Sequence, residues 1–191
     1  MRPALLVVDL QRRFMETGSP DKLAGVGTLI ARTNELIDFF HESRLPVVVI
    51  QTVHKADGST WNLWMREHSP VHMIEGTWEV EQHRDVHMAD TDVIIQKTRS
   101  SAFIRTQLES VLQGLSIDTV VIAGYSTNFC VGLTAIEAFE RDFRVLLAGD
   151  AILGTNEERG NRMLNYLQNS FEIELIQSLH IKETISTEVA L

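Results

Sequence analysis

Thr119-Val120-Val121-Ile122-Ala123-Gly124-Tyr125-Ser126-Thr127-Asn128-Phe129-Cys130-Val131-Gly132 joins an apolar run to a polar turn and then to a helical pattern carrying the single cysteine of the chain. Val120 to Ala123 is short, apolar and largely β-branched, as expected of a strand covered on both faces of a parallel sheet, and Gly124 ends it. From Val131 onward Leu133, Ala135, Ile136, Ala138 and Phe139 return at helical spacing. Cys130 is thereby expected in the first helical turn, where free backbone N–H groups and the positive end of the helix dipole favour an anion. A thiolate is such an anion, and a helix start is one of the places where cysteine becomes a nucleophile near neutral pH. A lone cysteine more often serves as a small core hydrophobe, so the choice between the two readings rests on partners elsewhere in the chain.

Working outward, the same strand-then-helix pattern repeats. Pro3 to Asp9 reads as a first buried strand ending on a carboxylate, Gln11 to Val26 as a loop, and Thr28 to Arg44 as a helix stopped before Pro46. Val47 to Gln51 and Asp92 to Ile95 read as further strands. Ser101 is a candidate cap for a helix running to Leu112. Arg144 to Ala148 and Glu172 to Ile176 complete a set of six strands, with a helix over Asn156 to Asn169 between them. Strands alternating with helices imply an α/β chain with a parallel sheet covered on both faces. Gly25-Val26-Gly27 is not a dinucleotide fingerprint, because that motif follows its strand at once through a tight turn. Residues 52–90 break the pattern. They hold Trp61, Trp64 and Trp78 together with His54, His68, His72, His83 and His87, and read as a lid or binding segment.

Composition narrows the classes. The 191 residues, 44% hydrophobic with net charge −9, fit one domain over 1–191 with a continuous core. No run is long enough for a membrane span, and no secretory signal is read at the N-terminus, so a cytoplasmic protein is expected. The acidic balance and scattered Lys and Arg argue against a nucleic-acid partner. A single cysteine forms no internal disulfide and suits a reducing compartment.

Asp9, Lys97 and Cys130 each fall at the C-terminal end of a predicted parallel strand, and so on one edge of the sheet. A carboxylate there can accept the thiol proton, while an ammonium stabilises the thiolate and the anionic acyl intermediate. Read singly, Asp9 could be a loop cap and Lys97 a solvated lysine; their joint placement points to chemistry.

These residues, with Leu5-Leu6-Val7-Val8-Asp9-Leu10-Gln11 and Phe14, then Ser101-Ala102-Phe103, then Gly124, Thr127, Val131 and Thr134-Ala135, closely resemble the isochorismatase-like cysteine hydrolases from Ala4 to about Asp150. The resemblance implies a three-layer α/β/α, Rossmann-like fold with strand order 3-2-1-4-5-6 and an Asp9–Lys97–Cys130 triad. It also implies a cis peptide at Tyr125-Ser126 and an oxyanion hole made by the backbone N–H groups of Ser126 and Cys130. Members that keep cysteine at this position resemble amidases of small amides, carbamoyl or ureido compounds, which act through a thioester without an organic cofactor. Phe14, Trp61, Trp64, Tyr125 and Phe129 are candidate pocket walls, each with core or interface as its alternative. A small-molecule substrate and a homo-oligomer, dimer or tetramer, are expected.

Two alternatives belong beside this reading. One is hydrolysis of an isochorismate-like vinyl ether, for which Arg99 and Arg105 would have to bind a dicarboxylate; the other is a binding protein with a redox-sensing thiol. The nicotinamidase branch binds a metal through Asp-x-His after the second strand, where this chain has Thr52-Val53-His54. His68/His72 and His83/His87 have a zinc-compatible spacing, but Pro70 disfavours a helix for the first pair and the second lacks an evident third ligand. No metal is therefore expected.

Overall fold

The computed structural model describes residues 1–68 and 70–189. Six parallel strands, β1 (Pro3–Val8), β2 (Val47–Thr52), β3 (Val93–Lys97), β4 (Thr119–Tyr125), β5 (Arg144–Leu153) and β6 (Glu174–Ile176), form one sheet in the order β3-β2-β1-β4-β5-β6. The fold and strand order expected from the sequence are therefore those observed. The order reverses between β1 and β4, which puts the ends of both strands beside the crevice where open α/β sheets bind ligands.

The all-apolar run of β1 is buried because it is covered twice. Ala4, Leu6 and Val8 face a core shared with α4 (Leu108–Gly114), α5 (Gly132–Phe139) and α6 (Glu157–Phe171) through Leu108, Leu112, Ala135, Ala138 and Leu167. Leu5 and Val7 face the other core, with α2 (Pro20–Glu42) and α7 (Ser178–Val189) supplying Leu29, Ile30, Leu36, Ile37, Phe40, Ile181 and Ile185. Short helices α1 (Arg12–Glu16) and α3 (Leu63–Glu67) lie in the connections, and no helix among the described residues is long and apolar enough to cross a membrane.

Several local expectations change. The expected loop over Gln11 to Val26 is largely helical: Ser19 caps α2 by accepting from Lys22 N, and Pro20 supplies the fixed φ of a first helical residue. Gly25 lies inside α2, where a Cβ would come within 2.9 Å of Leu153 Cδ1, so the glycine that resembled a loop signal permits helix-to-sheet contact. Ser101 does not cap a helix to Leu112; its hydroxyl accepts from Phe103 N within a turn, and α4 begins at Leu108, whose N–H donates to Thr106. β5 runs on through Gly149-Asp150 to Leu153, and α7 follows β6 where no helix is expected from the residue pattern.

Gly124 holds the centre of the sheet together at the crevice. Its φ is +122°, and a Cβ would sit 2.1 Å from the Val8 carbonyl oxygen. No side chain fits that gap, and L-residues avoid that backbone region. Gly124→Ala is expected to cost more than about 3 kcal/mol, at the severe end of single substitutions. Urea denaturation measures it, and a midpoint equal to that of the unmutated protein would refute the close β1–β4 approach.

Candidate active site

Asp9 directly follows β1 and has φ +53°, a left-handed conformation that aspartate tolerates better than most residues. Its N–H donates to Ile50 O of the neighbouring strand, fixing the turn. Lys97 is the last residue of β3. Both side chains are wholly buried, with Lys97 Nζ 2.8 Å from Asp9 Oδ2. Between them, at the end of β2, stands Thr52, whose hydroxyl donates to Asp9 Oδ1 at 2.9 Å and accepts from Lys97 Nζ at 2.7 Å. Gln11 holds Thr52 in turn: its amide donates to the Thr52 and Val80 carbonyls and its oxygen accepts from Thr52 N.

Lys97 Nζ also donates to Cys130 Sγ at 3.3 Å, so Asp9, Lys97 and Cys130 meet as the sequence expected. Asp9 Oδ2 is ion-paired to Nζ and takes no further hydrogen bond among the described residues. The charge of the same carboxylate bears on the thiol. Sequence reasoning gave Thr52 and Gln11 no role; the available signal was that Thr52 stands at the strand end between the two charged residues.

The resting state of the sulfur differs from expectation. Burial first, and then the Asp9 charge, push the Cys130 thiol up to about 12, outweighing the favourable ammonium of Lys97. Cys130 is not in the first turn of a regular α-helix but in one turn of π-helix, Thr127–Val131, that leads into α5. The wider turn arises where Val131 N reaches back to Ser126 O, five residues away. Burial opposes charge on Lys97, but Asp9 and Cys130 more than offset it, and its pKa is raised. The site at rest is thus an Asp–Lys ion pair beside a neutral thiol.

The Tyr125–Ser126 peptide is cis. Among the described residues, the Ser126 and Cys130 N–H groups donate to no side chain and to no carbonyl outside their own element. Thr134, buried on α5, accepts from Ala102 N and ties the segment after Lys97 to the helix after Cys130. Of the candidate pocket walls, Phe14 packs on Tyr125 with centroids 5.5 Å apart, and Trp61 is half-buried with its Nε1 donating to Lys55 O. Trp64 is 64% exposed and stacks on His68, while Phe129, although next to Cys130, is 48% exposed. Trp64 lines an open cavity of about 340 Å³ with His54, His68 and His72, apart from the three reactive residues.

The residues at the metal position of the nicotinamidase branch do not fit a metal. The hydroxyl of Thr52 is committed to Asp9 and Lys97. His72 is held between Glu79 and Arg13, His68 bonds Trp64 O, and His87 bonds Asp38 on α2. Among the described residues, no three His, Cys, Asp or Glu side chains converge on one point.

Comparison with known proteins matches residues 3–177 to the isochorismatase domain. Maleamate amidohydrolase of Pseudomonas putida is 29% identical over 157 residues, covering 79% of this chain and 72% of that protein. N-carbamoylsarcosine amidase of Thermoplasma acidophilum superposes with a TM-score of 0.80 at 26% identity, covering 93% of this chain and 97% of that one. A zinc complex of the pyrazinamidase of Pyrococcus horikoshii gives a TM-score of 0.81 at 31% identity, covering 93% and 99%.

The electrostatics of the thiol yield a test of opposite signs. Removing the Asp9 charge should lower the Cys130 pKa, and removing the Lys97 charge should raise it. Alkylation by iodoacetamide, followed against pH, reads the thiolate directly. The unmutated protein is expected to react slowly at pH 9 and faster as pH approaches about 12, because the deprotonated fraction grows towards the thiol pKa. Asp9→Asn should move the profile to lower pH and Lys97→Met to higher. Profiles that superimpose, or move in the same direction, would show that the two charges do not govern the sulfur.

Proposed function

The chain belongs to the isochorismatase family, and we propose that it is a cysteine-dependent amidohydrolase cleaving the C–N bond of a small amide, carbamoyl or ureido substrate through a thioester. The observation that carries this reading is buried Asp9, ion-paired to Lys97, beside a thiol that the same Lys97 contacts and on which the Asp9 charge bears. The names borne by similar proteins, maleamate amidohydrolase and N-carbamoylsarcosine amidase, support the bond type.

With the thiol neutral at rest, the first step is proton transfer. Asp9 takes the Cys130 proton as Sγ attacks the substrate carbonyl, so charge moves from carboxylate to sulfur only as the new bond forms. The negative oxygen that develops is met by the Ser126 and Cys130 N–H groups and by the nearby Lys97 ammonium. Collapse breaks the C–N bond, with Asp9 returning its proton to the departing nitrogen. Water, deprotonated by Asp9, then attacks the thioester; the C–S bond breaks, the acid leaves and the proton returns to sulfur. Thr52 and Gln11 hold Asp9 and Lys97 in position throughout. Neutral resting sulfur is compatible with this scheme, because it requires a base within reach of the thiol rather than a standing thiolate.

Cys130→Ala is expected to lower turnover of a responsive amide by at least about 1,000-fold while preserving the folded far-UV spectrum. The unmutated protein, mixed with a panel of amides and ureides, should carry an acyl mass on Cys130 by intact mass spectrometry. Full turnover by Cys130→Ala would remove the thioester mechanism.

A further inference from the structure

Lys97 has a neighbour, Arg99, that the scheme above does not use. Arg99 is half-buried, two residues beyond Lys97 on the same edge of the sheet. Its Nη1 donates to Thr60 O at 2.8 Å and to Thr98 O at 2.6 Å, which pins the guanidinium between the 55–61 loop and the end of β3. Among the described residues it makes no other hydrogen bond and joins no ion pair, so the N–H groups on Nε and Nη2 have no protein acceptor. This is unusual for a guanidinium that has lost part of its water, because Arg offers a fork of parallel donors suited to a carboxylate. The neighbouring cations differ: Lys97 is paired with Asp9, and Arg13 lies beside Glu79.

The position also fits the reacting centre. His54, at the foot of the same loop, is kept neutral by burial and by the positive charges of Arg99 and Lys97, so both cations bear on one small region. His54 Nδ1 lies 3.4 Å from Thr60 Oγ1, which links the loop that Arg99 pins to the wall beside Lys97. With Asp9 neutralising Lys97, Arg99 supplies the uncompensated positive charge of this wall. Arg99 and Lys97 are two residues apart, so their Cα atoms are at most about 7 Å apart, and a short acid bearing both a carboxylate and an amide is of the size to reach from one side chain to the other.

We propose that Arg99 is the specificity-determining residue of this site, binding through its free Nε and Nη2 a carboxylate that the substrate carries a few bonds from the scissile amide. The substrate class is then the half-amides of short dicarboxylic acids and the N-carbamoyl amino acids, rather than neutral amides. This rests on the amidohydrolase reading for its chemistry, but carboxylate binding can be measured without turnover.

The test compares succinamate with butanamide, its neutral analogue of similar length, and uses succinate as a non-reacting ligand. The unmutated protein should prefer succinamate in kcat/KM, and Arg99→Gln should cut that preference by about 10- to 100-fold, mainly through KM, as expected for lost hydrogen bonds to a charged group. Succinate should protect Cys130 from iodoacetamide in the unmutated protein and not in Arg99→Gln. Should Arg99→Gln fail to fold, Arg99→Lys, which keeps the charge without the fork, should lose part of the preference and of the protection. Equal losses for acid and neutral amide would mark Arg99 as a loop anchor only and overturn the proposal, as would succinate protection that ignores the substitution. Arg99-dependent protection without turnover of any amide would uphold the carboxylate site and remove the amidohydrolase reading instead.

Discussion

The buried ion pair between Asp9 and Lys97 constrains everything around it. Two charges taken wholly out of water are each costly, and their attraction compensates only when the geometry is good and the remaining polar atoms are satisfied. The fold meets these terms by placing the pair at the ends of β1 and β3, with Thr52 at the end of intervening β2 bonded to both. Removing one partner would strand the other, a loss of about 3–5 kcal/mol. The pair is therefore weak evidence of stability, and it stands against the single cysteine of the chain.

The frame around the pair is correspondingly rigid. β1 and β4 approach so closely at Val8 and Gly124 that no side chain fits, and the cores on the two faces of the sheet hold β1 from both sides. Such a support fixes the directions of Asp9 and Cys130 without relying on loops. The segment from Lys55 to Trp61 is tied to this frame by Arg99 and by short internal bonds.

Much of this was legible in the residues. The apolar runs before Asp9 and Gly124 announced buried parallel strands, because only a sheet covered on both faces tolerates strands without alternation. The placement of Asp9, Lys97 and Cys130 at strand ends put them on one edge, since parallel strands all end on the same side. Helix boundaries were less legible. Gly25 and Gly27 read as loop, whereas packing against Leu153 makes Gly25 favourable within α2. Ser101 read as a cap, but its hydroxyl closes a local turn instead.

Residue types and their order along the chain therefore settled the fold class and brought Asp9, Lys97 and Cys130 to one shared edge, because periodicity and strand ends are local properties. The protonation state of the sulfur was not a local property. A helix start and a lysine suggested a thiolate, yet burial and the Asp9 charge favour the thiol, and both arise from strands far apart in sequence. The contacts of Thr52 and Gln11 were likewise decided by folding. Their significance lies in which donors and acceptors remain unpaired once the strands are side by side, and hydrogen-bond satisfaction is set by neighbours in space rather than in sequence.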